Sequence, residues 1–136
     1  MPHAAAGALR ERIDRIEEAY EFMLAYAAQG LVGNEAGGSG AQLRDFLSRC
    51  SDALEDLPLL LRTLVEARRL EPEASYRAFL DIVERDARDT HTALQLVLAQ
   101  SAISSQLIDN LNAWVHLRAL LTDLFVIDEL IRSSER

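Results

Sequence analysis

Apolar residues in this chain recur at alternating spacings of four and three, and they keep that rhythm over long runs. The clearest run is Leu43, Leu47, Cys50, Leu54, Leu57, Leu61 and Leu64. Leu9, Ile13, Ile16, Tyr20, Met23 and Ala27 form a second, and Tyr76, Leu80, Val83, Ala87, Thr90, Leu94 and Val97 a third. This spacing lays side chains along one stripe of an α-helix, the kind used where helices pack nearly parallel. A fourth segment carries Ile103, Leu107, Trp114, Leu117, Leu121 and Leu124. No stretch alternates apolar and polar residues over a useful length, so no sheet is expected. The fold class that follows is all-α, a four-helix up-down-up-down bundle in a single domain over 1–136. Its helices are expected at about 8–29, 41–70, 73–100 and 103–133.

The breaks between these segments have chemical causes. "GLVGNEAGGSG", residues 30–40, holds five of the six glycines and reads as a flexible loop. Pro72 stands where a helix prefers to start. Pro58 falls inside the second periodic run and is expected to kink that helix or split it near Leu57. Between Leu120 and Ile131 the chain reads "LLTDLFVIDELI", apolar nearly all round. A helix greasy on every side asks to be covered on every side. Leu120, Leu124, Ile127 and Ile131 are therefore expected to meet a second copy of the chain, since most oligomers are symmetric homo-oligomers.

Charge and composition exclude several function classes. Fourteen basic residues against 22 acidic ones give a formal net charge of −8, which repels a phosphate backbone and argues against nucleic acid. Every basic residue is Arg, so no Schiff-base or P-loop lysine is available. Cys50 is the single cysteine and sits on an apolar stripe, where it reads as a small buried hydrophobe. The positions three before His91 and His116 hold Arg88 and Ala113, so the Glu-x-x-His pair of di-iron bundles is missing. No metal and no cofactor are expected. The N-terminus lacks the basic and apolar regions of a signal peptide, and no apolar run reaches the ~18 residues of a membrane span. The expectation is a cytoplasmic protein with no membrane contact.

Two polar residues fall on the apolar side of the fourth segment when it is drawn as one helix. Arg118 projects between Leu107, Leu111 and Phe125, and Asn110 between Leu117 and Leu121. A buried guanidinium must be paired and hydrogen-bonded, or it costs several kcal/mol. One reading is structural, with polar groups setting the register of an interface. The other is an interior site for a small anionic or partly apolar ligand. There Arg118 grips a carboxylate, Asn110, Tyr20 and Tyr76 orient it, and Thr90 and His91 lie at the edge of the apolar arc.

"LRERIDRIEEAY" resembles the opening helix of the all-helical chorismate mutases, and "LEPEASYRAFLDIVERDA" is similar in rhythm to a later helix of that family. The resemblance spans roughly residues 9–100 and implies a dimeric enzyme whose arginines grip a dicarboxylate, with Arg10 matching one of them. The chain departs from the family at Ala27, Ala28 and Gln29, where another arginine is wanted, and in having no lysine. Glycines interrupt what would be the family's long first helix, and the fourth helix is extra. The function expected from the residues is accordingly a non-enzymatic accessory or assembly protein. It acts through protein–protein contacts, as a homodimer with a further protein partner. The alternative is the ligand-binding bundle, with a chorismate-mutase-like enzyme as its extreme form.

Overall fold

The computed structural model describes residues 2–32 and 38–134, with side chains over 5–32 and 39–134. Among these residues the chain is all-helical, with five α-helices and no strand: α1 (Pro2–Ala28), α2 (Gly38–Ala67), α3 (Glu73–Leu98), α4 (Ser105–Asn112) and α5 (Val115–Ser133). None is long and apolar enough to cross a membrane.

Three of the expected boundaries move. α1 begins at Pro2 rather than near residue 8, because Ala4, Ala5 and Ala6 are the strongest helix formers and proline is tolerated in a first turn. Of the expected loop at 30–40, residues 33–37 lie outside the described residues, and Gly38–Gly40 form the opening turn of α2. Gly30 ends the first helical hairpin arm with φ +70, the left-handed conformation that glycine adopts without a Cβ clash. α2 is not split at Pro58: it continues through the proline. Leu54, Leu57, Leu61 and Leu64 are buried on both sides of it, and that packing outweighs the roughly 3 kcal/mol cost of an interior proline.

The largest correction is the fourth segment, which is two helices. Ser104 caps α4, its hydroxyl accepting from the Leu107 N–H at 3.0 Å. Trp114 leaves helical geometry, with φ −68 and ψ 127, and α5 starts anew. The phase of the apolar residues explains the break. Ile108 and Leu117 are nine residues apart, about 900° at 100° per residue, so a continuous helix would point them to opposite sides. Both are buried. Interrupting the helix at Ala113 and Trp114 lets each half turn its own apolar stripe inward.

Side-chain contacts set the packing order. Phe22 stacks on Phe46 with ring centroids 4.7 Å apart, and Arg12 pairs with Asp56, so α1 and α2 run antiparallel. Arg62 bridges to Asp81 and Glu84, Gln95 donates to Ser51, and Arg44 donates to the Leu98 carbonyl, so α2 and α3 also run antiparallel. α4 lies on α1, and α5 lies on α3. Leu120, Leu124 and Ile127 are fully buried in this one chain and Ile131 nearly so. The interface expected on those four residues is thus replaced by intramolecular core: they have no face left to offer a second copy.

Candidate functional site

The residues expected to form an interior site are not brought together. Arg118 is exposed on α5. Asn110 is exposed on α4, where its Oδ1 accepts from Gln106 at 3.2 Å. Tyr20 on α1 and Tyr76 in the first turn of α3 are half-buried. Thr90 is wholly buried in α3, and its hydroxyl has no hydrogen-bond partner. His91 faces α2, with Nε2 3.4 Å from the Glu55 carboxylate but not aligned for a hydrogen bond. It lines a shallow cleft with Leu54, Pro58 and Arg88. The wheel that placed Asn110 and Arg118 inward assumed one continuous helix, and the break after Asn112 removes that premise. Arg10, singled out by the chorismate-mutase resemblance, donates to Asp128 of α5 at 2.6 Å.

The buried amide of this region is Asn112, not Asn110. Its side chain donates to the Met23 carbonyl at 3.2 Å, while its Oδ1 is left without a partner. Nearby, the buried Tyr26 hydroxyl donates to the Ile103 carbonyl at 2.5 Å. The Ser105 hydroxyl donates to the Tyr26 carbonyl at 2.6 Å and accepts from the Leu31 N–H at 2.8 Å. The Ser105 N–H in turn donates to the Leu31 carbonyl at 2.8 Å. These bonds satisfy backbone groups that the end of α1 and the start of α4 would otherwise bury unpaired, so the cluster is a structural clasp. Cys50 is equally structural: burial pushes its thiol up to about 12, far from a reactive thiolate.

Several exposed apolar side chains lie on the outer side of α3 and α5. Asp86 of α3 contacts Asp123 of α5, and His116 Nδ1 of α5 lies 3.7 Å from the Asp89 carboxylate of α3. The two contacts run in opposite chain directions, so α3 and α5 are antiparallel. Ile82 sits one turn before Asp86, and Val126 one turn beyond Asp123, which brings them level across the seam. Leu130 lies one further turn along α5 on the same side as Val126. All three are 43 % exposed. With Val115 and Phe125, α5 alone contributes four of the nine exposed large apolar side chains among the described residues. Burial, reinforced by the Asp86 carboxylate, pushes the Asp123 carboxyl up to about 7. Among the described residues no three His, Cys, Asp or Glu groups are placed to hold a metal ion.

A separate cleft of about 430 Å³ opens where α2 turns into α3, lined by Arg62, Val65, Arg69, Leu70, Arg77 and Leu80 together with Glu66, Glu71 and Glu73. Its charges largely answer one another: Arg62 is bonded to Asp81 and Glu84, and Arg77 to Glu73. No protein-family model, no curated protein and no solved structure matches this chain.

Proposed function

We propose that this protein works through protein–protein contacts made by the outward side of α3 and α5, and that its first partner is a second copy of itself. The supporting observation is the apolar row of Ile82, Val126 and Leu130 along the α3–α5 seam. Scattered single apolar residues on a surface need no explanation, but a row shared by two adjacent helices marks a contact surface. Self-association is the simplest use of such a row, because a two-fold axis lets one patch serve both partners. The buried Leu120, Leu124, Ile127 and Ile131 support it from beneath, by fixing which side of α5 turns outward.

The test is the double substitution Val126→Arg with Leu130→Arg, followed by sedimentation velocity over a range of concentrations. The expected result is a folded monomer where the unsubstituted chain is a dimer. An unsubstituted chain that is monomeric throughout, or a double variant that dimerises as well as its parent, refutes the assignment.

A further inference from the structure

α2 ends on a turn that glycine normally serves. Past Ala67, the Arg69 N–H donates to the Glu66 carbonyl and the Leu70 N–H to the Val65 carbonyl, each at 3.2 Å. This closure puts the residue after the helix cap in the left-handed region. After α1 the left-handed residue is Gly30, with φ +70. After α2 it is Arg69, with φ 52, the only non-glycine residue of positive φ among the described residues. An L side chain crowds its own backbone in this conformation, so arginine loses stability here that glycine would keep. A strained residue retained where a simpler one would fold better points to a use for its side chain.

The Arg69 side chain lines the cleft of about 430 Å³ between α2 and α3. That volume lies within the roughly 300–1,000 Å³ of small-molecule sites. Buried Val65 and Leu80 and half-buried Leu70 supply an apolar wall. The charged lining falls into two sets. Arg62 is taken up by Asp81 and Glu84, at 2.7 and 2.9 Å, and Arg77 by Glu73. The side chains of Arg69, Glu66 and Glu71 enter no hydrogen bond or ion pair among the described residues. One cation and two carboxylates therefore border an apolar wall without partners of their own.

We propose that this cleft binds a small zwitterion with an apolar body, a free α-amino acid of the leucine or phenylalanine kind. Its carboxylate takes the fork of the Arg69 guanidinium, its ammonium answers Glu66 and Glu71, and its side chain covers Val65, Leu70 and Leu80. The choice of ligand follows from the charges. A carboxylate without an amine would satisfy Arg69 but add a third negative charge beside two unanswered ones. An amine without a carboxylate would leave Arg69 unmet. A free amino acid carries both charges on one carbon, and each end rejects the half-molecule that lacks it.

NMR titration of the full-length protein with L-leucine and L-phenylalanine, read on the backbone amides, tests the site. Both should shift amides within 65–80. Phenethylamine and 3-phenylpropanoate, which each lack one charge of phenylalanine, should bind roughly tenfold more weakly. Arg69→Gly removes the guanidinium and the strain together. It should weaken phenylalanine binding roughly tenfold without lowering the thermal midpoint. If Arg69→Gly does not fold, Arg69→Asn tests the same position, since asparagine also tolerates the left-handed region. Glu66→Gln with Glu71→Gln should weaken phenylalanine and not 3-phenylpropanoate. The proposal is overturned if neither amino acid binds, or if either half-molecule binds as well as phenylalanine. Binding that survives loss of the guanidinium overturns it too, as does an Arg69→Gly midpoint below that of the parent, which would make the arginine structural. None of these outcomes depends on whether the chain associates.

Discussion

Leu124 and Val126 stand two residues apart on α5, and substituting each by Ala measures which way that helix faces. Leu124 has no exposed surface, whereas Val126 is 43 % exposed. Truncating a buried leucine removes its transfer free energy and leaves a cavity, a combined loss of about 3 kcal/mol or more. Truncating an exposed valine changes stability by about 0.5 kcal/mol or less. A chain of 136 residues has an unfolding entropy of about 0.29 kcal/mol per kelvin at its melting midpoint. Leu124→Ala should therefore lower the midpoint by roughly 10 °C, and Val126→Ala by less than about 2 °C. Total stability of order 7–20 kcal/mol leaves both variants folded at 25 °C. Thermal and urea unfolding followed by circular dichroism gives both numbers, with sedimentation to show which variant loses self-association. Equal losses of stability, or a Leu124→Ala variant that keeps its stability and loses association, would mean that α5 is turned the other way round.

Two further substitutions test the interior. Tyr26→Phe removes the donor to the buried Ile103 carbonyl and should cost about 1–2 kcal/mol in urea unfolding; an unchanged midpoint would mean that water replaces the hydroxyl. Pro58→Ala restores an N–H inside α2 and should raise stability by about 1–3 kcal/mol. A loss would show instead that the proline ring is needed as packing in the cleft it shares with His91.

The seven residues from Leu43 to Leu64 were readable from the sequence because a strict stripe over 22 positions has one helical solution, and all seven are buried. In α1 the stripe was followed one step too far round. Ala19 and Tyr26 are the buried residues, with Tyr20 and Ala27 at the edge, because a straight helix drifts relative to a strict seven-residue repeat. The break between α4 and α5 has no proline or glycine to announce it. Its signal was subtler: Ile108 was left on the polar side when the segment was drawn as one helix, and an apolar residue out of phase with the stripe after it requires an interruption. That error carried Asn110 and Arg118 inward and left the structural amide, Asn112, unnoticed. The α3–α5 seam could not be read at all from sequence, since the contact between Asp86 and Asp123 depends on how two helices 37 residues apart are docked.

The contact surface is the central claim, and its most direct test is the concentration dependence of amide exchange in the unsubstituted chain. A dimer built on the α3–α5 seam should gain protection with concentration in peptides covering 79–86 and 119–130. Peptides covering 43–64 of α2 should not change. Protection that is independent of concentration, or that appears on α1 and α2 instead, would contradict it.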